Sequence, residues 1–305
     1  MQFWEDVDDG LKDIEQYYRS DKNMDIDRIY AFAKSAQKIS PPPKPQAPGH
    51  EPSEEHVDGL TAQPFWEVSA GLASSEALLC FPWASALEDK SYIIIDEFLG
   101  KLEGENLEAG KVNNEEKNNL FSGDSAWQNE VMGKGWSAFR LQRLGEWNVQ
   151  NCKEFPKTYE LLKSLNIPLA VRGVCFARQG ANSGVAPHTD GRNFILTAHL
   201  GLKVPEGCWI KVGKEERGWE EGKLTILDTS FSHSTGNPTS YDRHVLIIDF
   251  WHPELTEAER AALEFVYSLR NKFESGKVPF RKPRSIEQEG QGLAGFFNMF
   301  STGGS

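Results

Sequence analysis

VRGVCFA (residues 171–177), FILTAHLGL (194–202), CWIKV (208–212), LTILD (224–228) and HVLIIDFW (244–251) are short segments rich in β-branched and aromatic residues, divided by clusters of Gly, Pro, Asn and Ser. No long helical pattern intervenes, which excludes a βαβ arrangement. The spacing predicts a mainly β fold, an antiparallel sandwich or barrel of the jelly-roll type.

Downstream, Thr256 followed by Glu257, Ala258 and Glu259 supplies a cap and an acidic first turn, and Ala262, Leu263, Phe265, Val266 and Leu269 carry a helix onward. Beyond it, residues 290–305 are Gly-rich around the cluster Phe296-Phe297-Asn298-Met299-Phe300 and read as a loosely packed tail. Upstream, residues 155–165 have helical spacing with Pro156 in the first turn. Residues 92–98 and 136–141 read as strands, with the polar stretch 104–123 as a loop between them that has room for a short helix. At the start of the chain Phe3, Trp4, Val7, Leu11, Ile14, Tyr17 and Tyr18 share one helical face, and Ile26, Ile29, Tyr30 and Ala33 mark a second short helix. Five prolines within residues 40–49 end that pattern and read as an extended linker. The domain organisation expected is an N-terminal helical extension (1–40), a Pro-rich linker (41–57), a β domain (58–258), and a C-terminal helix and tail (259–305), so that helices flank the barrel.

The charge balance narrows the function. With 45 acidic and 33 basic residues the net charge is -12, and a phosphate-neutralising surface for nucleic acid is not expected. No apolar run reaches the roughly 18 residues of a membrane span. The start of the chain lacks the basic and apolar regions of a secretory signal, so a cytoplasmic protein is expected. Cys80, Cys152, Cys175 and Cys208 form no CxxC pair and read as free thiols.

Among seven histidines, His188-Thr189-Asp190 stands out, because donors at i and i+2 on an extended segment lie on one face. His233 follows 43 residues after Asp190, just past the segment 224–228. Antiparallel strands can bring these side by side as two imidazoles and one carboxylate, the facial triad of non-haem Fe(II) oxygenases. Ten residues past His233, Arg243 opens the last strand, where a guanidinium facing inward can grip a carboxylate such as that of 2-oxoglutarate with two parallel bonds. Taken singly, a polar turn after Pro187 or an ion pair with Asp242 accounts for these residues. In this order, on strand edges, the four together favour a metal site.

Longer motifs support that reading. GLTAQPFW (59–66), NCKEFPKT (151–158) followed by Leu161-Leu162, HLGL (199–202), WEEGK (219–223), SFSH (230–233) and DFWHPELT (249–256) resemble, in order, the motifs of the aspartyl/asparaginyl β-hydroxylases over about residues 58–260. The resemblance implies a double-stranded β-helix, cupin-like, using Fe(II), 2-oxoglutarate and O2 as cofactor and cosubstrates. It implies His188 and His233 as iron ligands, Arg243 as the residue holding the distal carboxylate of 2-oxoglutarate, and His199 as a second cosubstrate contact. At position 190 the animal enzymes acting on epidermal-growth-factor-like domains carry glycine, whereas the related bacterial lipid A hydroxylases carry the aspartate kept here. Thr197 stands where many members have arginine, and residues 228–233 lack two acidic residues common in the family.

The substrates implied are, in order, aspartyl or asparaginyl residues of a peptide or protein, a free amino acid or small peptide, and an acyl chain. A non-catalytic cupin-like module binding a partner through the N-terminal helices is the contrasting reading. Of the lesser candidates, His252 reads as a packing or capping residue, His244 as facing away from Arg243, Trp209, Trp219 and Trp251 as core, and Cys175 as a buried thiol near the cosubstrate.

Overall fold

The structure is a computed structural model and describes residues 2–40, 43–68, 81–109, 126–127 and 135–276. The elements begin with α1 (Gln2–Lys22), α2 (Asp27–Ala36), β1 (Phe65–Trp66), α3 (Pro82–Asp89), α4 (Ser91–Ala109), β2 (Ala126–Trp127), β3 (Trp136–Arg143), β4 (Glu146–Trp147), α5 (Val149–Glu154) and α6 (Pro156–Ser164). They continue with β5 (Leu169–Gln179), β6 (Ser183–His188), β7 (Ile195–Lys203), β8 (Trp209–Val212), β9 (Glu215–Arg217), β10 (Leu224–Asp228), β11 (His233–Asn237), β12 (Arg243–Trp251) and α7 (Glu257–Glu274).

The described residues fall into two compact units, one of 2–27 with 257–276 and one of 28–256. In the first, α1 and α7 pack antiparallel. Phe3 meets Phe273 edge-on at 5.4 Å at one end and Lys22 donates to Glu257 at 2.7 Å at the other. Gly10 is the contact point, since a Cβ there would lie 2.1 Å from the Phe265 ring.

The second unit is built on two antiparallel sheets. The larger runs β1-β10-β7-β12-β5-β3-β2 with β4 beside β3, and the smaller runs β6-β11-β8-β9. Strand alternation sorts the larger sheet into two faces. Leu196, Ala198 and Leu200 of β7, Leu246, Ile248 and Phe250 of β12, and Val174 and Phe176 of β5 pack against Trp83, Leu87, Ile94, Phe98 and Phe155 from the helical layer. The opposite face, with Ala138, Ala177, Leu227 and Val245, meets Ile210 and Val212 of the smaller sheet. Because both faces are covered, β7 is buried along almost its whole length, and each such aliphatic side chain contributes about 1.5–3 kcal/mol relative to exposure. The result is the jelly-roll sandwich with flanking helices that the sequence predicts.

Three expectations are corrected. Residues 92–98 are not a strand but part of α4, where Ile94 and Phe98, one turn apart, are fully buried and Ile93, Ile95 and Leu99 pack around them. A short apolar run has no periodicity that separates buried helix from buried strand. Residues 43–57 are not a free linker: Glu51 N donates to Ser230 O at 2.8 Å, Ser53 N to Gly191 O at 2.7 Å, and Val57 N to Asn193 Oδ1 at 2.9 Å, with His50 and Val57 buried. The prolines offer no N–H, but the residues after them do, and the β unit takes them. The N-terminal 40 residues are not one extension either, because α2 belongs with the β unit, where Phe32 meets Phe194 edge-on at 5.6 Å and Arg28 donates to Glu254 O at 3.0 Å. The expected tail 290–305, Cys80 and most of the expected loop 104–123 lie outside the described residues. No described helix is long and apolar enough to cross a membrane.

Candidate metal centre

Strand register assembles the centre. His188 ends β6, His233 begins β11, and the two are directly paired across this antiparallel ladder, with ring centroids 4.2 Å apart. Asp190 follows in a loop fastened to the β10–β11 turn: its N–H donates to Thr229 O at 2.9 Å, and Thr189 Oγ1 donates to Ser230 O at 3.1 Å. One ligand atom from each of His188, Asp190 and His233 lies within 4.8 Å of the others. The three residues the sequence singled out thus come together.

The tautomers suit a metal. The Nδ1 of His188 faces the carbonyl of Ala186 and that of His233 the carbonyl of Phe231, each at 2.9 Å. A carbonyl only accepts, so each Nδ1 carries the proton and each Nε2 keeps its lone pair. His188 Nε2 is buried without a hydrogen-bond partner. Burial pushes the His233 imidazolium down, favouring the neutral ligand form. Burial works against ionised Asp190, yet the Arg172 guanidinium beside it more than offsets that and holds its carboxyl well below the usual range. Two imidazoles and one carboxylate on one side of a cavity fit a divalent metal with positions left open.

That cavity, of about 390 Å³, lies between the sheets and is also lined by Arg243, His199, Arg172, Thr197 and Asp249. Arg243 is 2% exposed; its guanidinium lies 4.4 Å from the Trp219 ring centroid, and its Nε and Nη1 have no acceptor. Burial lowers its pKa to about 10, so it stays cationic at neutral pH and requires an anion. Trp219 Nε1 donates to His199 Nδ1 at 3.3 Å, and burial, with Arg243 and His233 nearby, lowers the His199 pKa to about 3. His199 is therefore neutral with its proton on Nε2, a donor suited to a second carboxylate. Cys175 lines the same cavity, its thiol pushed up to about 12 by burial.

Other expectations resolve simply. His244 faces the helical layer, 5.3 Å from Phe98, and His252 is fully buried, with Nε2 at 3.1 Å from Thr61 O and Nδ1 accepting from Glu254 N. Trp219 is a core residue, as the sequence reading has it, and it also touches both His199 and Arg243. Sequence reading missed Arg172, which donates to Asp190, to Thr197 Oγ1 and Asp249 Oδ1 at 3.0 Å each, and to Thr229 Oγ1 at 3.2 Å.

The family model for aspartyl/asparaginyl beta-hydroxylases matches residues 90–253, which carry every residue of this centre. This chain belongs to the aspartyl/asparaginyl β-hydroxylase family. It is 35% identical over 214 residues to the mouse aspartyl/asparaginyl beta-hydroxylase, covering 68% of this chain and 26% of that protein. It is 34% identical over 139 residues to the human aspartate beta-hydroxylase domain-containing protein 2, covering 44% of this chain and 38% of that protein. The chain thus spans about a quarter of the length of the first of these relatives. Among solved structures it is similar to a 2OG-Fe(II) oxygenase family protein from Burkholderia pseudomallei, with a TM-score of 0.30, 14% identity, and coverage of 40% of this chain and 71% of that one. Before His233, Thr229 and Ser232 stand at the positions where acidic residues were expected, and Thr229 accepts from Arg172.

The buried titratable groups give this β-hydroxylase family member a signed pH dependence. His199 and His244 are depressed to about 3 and about 4, chiefly by burial, so on acidification from about 6.5 the unfolded chain takes up two protons that the folded one refuses. Asp228 runs the other way: burial raises it to about 7, so over the same window the folded state binds the extra proton. His50 and His233, also depressed by burial, add to the loss, while Asp249 and Glu264, raised by burial, offset part of it, leaving a net loss of stability between pH 6.5 and 4.5. Urea midpoints of metal-free protein should fall across that range, and Asp228→Asn should steepen the fall; a flatter profile in the variant would contradict the assignment.

Proposed function

We propose that the protein is an Fe(II)- and 2-oxoglutarate-dependent dioxygenase that hydroxylates a substrate carbon, the β-carbon of aspartyl or asparaginyl residues in a peptide or protein. The observation that carries the reading is the pairing of three converging ligand atoms with a fully buried guanidinium that has no anion of its own, inside one cavity. The cavity has the size and mixed lining of a small-molecule site.

His188, Asp190 and His233 would hold Fe(II). Arg243, stacked on Trp219, would bind the distal carboxylate of 2-oxoglutarate through parallel N–H bonds, and His199 Nε2–H would donate to the other end. The bound iron, with 2-oxoglutarate and O2, supplies the oxidant for hydroxylation, yielding succinate and CO2. The two sheets exclude water from that chemistry, and the backbone carbonyls of Ala186 and Phe231 keep the imidazoles from rotating. Arg140, Arg143 and Arg192 line the same cavity, which supports an acidic or amide-bearing substrate over an acyl chain.

The test is succinate formation from 2-oxoglutarate by protein loaded anaerobically with Fe(II), without substrate and with aspartyl and asparaginyl peptides. Peptide-stimulated succinate with a mass gain of one oxygen on the peptide is the result expected. Protein that binds neither iron nor 2-oxoglutarate would overturn the reading and favour a cupin-like binding module.

A further inference from the structure

We propose that Arg172 is the positioning residue that makes Asp190 a one-sided metal ligand, by taking one carboxylate oxygen and tying it to Asp249, Thr197 and Thr229 so that the other faces the metal. The inference rests on the metal reading given above and adds a residue to it.

The route of Arg172 into the cavity is unusual. Along β5, Cys175 and Ala177 face the space between the sheets while Val174 and Phe176 face the helices. Simple alternation would send residues 173 and 171 inward and Arg172 out among the helices. Instead the ladder between β3 and β5 slips between Arg140 and Gln142, and Gly173 adopts φ +76° opposite that slip. A Cβ at Gly173 would lie 2.2 Å from the backbone oxygen of Gln142, so the bulge is restricted to glycine in both torsion and space. In the neighbouring ladder Ile248 of β12 pairs with Val174 but Phe250 pairs with Leu169, so β5 carries three more residues than its partner there; an odd excess reverses the facing of what precedes it, and Arg172 turns inward.

There it crosses the sheet. Thr197 and Asp249 are register partners on β7 and β12, and Thr197 Oγ1 donates to Asp249 Oδ1 at 2.6 Å. Arg172 Nη2 reaches both, together with Thr229 at the end of β10, while Nη1 reaches Asp190 Oδ2. The guanidinium plane thus fixes the loop ligand to three strands of the larger sheet, although the two histidine ligands stand on the smaller one. A carboxylate in a loop has many rotamers, and holding one oxygen leaves a single direction for the other. The geometry needs a planar fork; a lysine ammonium could meet the charge but not reach Asp190 and the Thr197–Asp249 pair in fixed directions.

The experiment is a titration with Co(II) alone, following the visible d–d absorption, on wild type, Arg172→Met, Arg172→Lys, Asp190→Ala and the double variant Arg172→Met with Asp190→Ala. His188→Ala serves as the control for the site itself, and thermal midpoints in the absence of metal check folding. Arg172→Met should weaken Co(II) binding roughly 10- to 100-fold and alter the spectrum, as loss of a residue that orients a ligand does. Arg172→Lys should recover only part of the affinity. In the Asp190→Ala background the Arg172→Met change should move affinity less than about 2-fold, because its effect runs through that carboxylate. Wild-type affinity and spectrum in both Arg172 variants, with His188→Ala still losing the metal, would overturn this inference and leave the metal centre standing. An undiminished effect of Arg172→Met in the Asp190→Ala background would also overturn it, as action through the fold. If Arg172→Met does not fold, the lysine variant carries the test alone, with wild-type binding counting against the proposal. Wild type that binds no Co(II) would instead sink the metal reading itself, and this inference with it.

Discussion

His233→Ala is expected to abolish metal binding and with it all turnover of 2-oxoglutarate, while leaving the protein folded. The two effects separate because of where the residue stands. His233 begins β11 and is directly opposite His188, so its imidazole would supply one of the two nitrogens of the proposed metal site. Removing it leaves one nitrogen and one carboxylate, and the metal affinity should fall by more than about 100-fold, beyond what is typical of an orienting residue. The fold loses only the Nδ1 bond to Phe231 O and a modest buried surface, about 1 kcal/mol. Equilibrium dialysis against Fe(II) under anaerobic conditions, with a thermal melt of the same samples, checks both. A folded variant that retains iron and forms succinate at the wild-type rate would remove His233 from the centre.

The sequence makes the ligands visible more easily than the strands that carry them. HLGL, LTILD and HVLIIDFW lie on strands of the larger sheet, whose apolar residues mark them as strand without further help. SGVAPH and HSTGN, the two strands that present His188 and His233, have almost no apolar alternation, because one side of each faces a polar cavity. They are legible only as ends of motifs. The run YIII at 92–95 was misleading for another reason: four consecutive apolar residues show no period, although only Ile94 is fully buried and Tyr92 is exposed, so nothing in the run itself separates helix from strand. Arg172 was silent because its facing is set by a bulge, and a single glycine in a strand does not reveal which neighbour it turns. The same holds for Trp219, whose N–H decides the His199 tautomer from a loop 20 residues away.

Replacing Arg243 by methionine is expected to stabilise the protein and to destroy its affinity for 2-oxoglutarate. In the ligand-free protein the guanidinium is 2% exposed, has two nitrogens without acceptors, and has no ion-pair partner among the described residues. It lies over the Trp219 face and near the Cys208 thiol, and burial has already lowered its pKa from 12.5 to about 10. A buried cation in that state costs several kcal/mol, and a methionine of similar length keeps most of the packing. The variant should gain about 1–3 kcal/mol, which for a unit of this size raises the melting midpoint by a few degrees. A carboxylate entering the wild-type site offsets that cost with two charge-assisted bonds. Methionine can supply neither bond, and 2-oxoglutarate affinity should drop more than about 100-fold, equivalent to roughly 3 kcal/mol. Arg243→Lys should fall between, since it keeps the charge and loses the fork. The measurement is a melting midpoint with and without 2-oxoglutarate for all three proteins. Wild type should rise steeply on adding the cosubstrate from a lower start, whereas the methionine variant should start higher and not respond. A methionine variant that melts below wild type in the absence of ligand and still responds to 2-oxoglutarate would show that Arg243 is a packing residue and that the cosubstrate binds elsewhere.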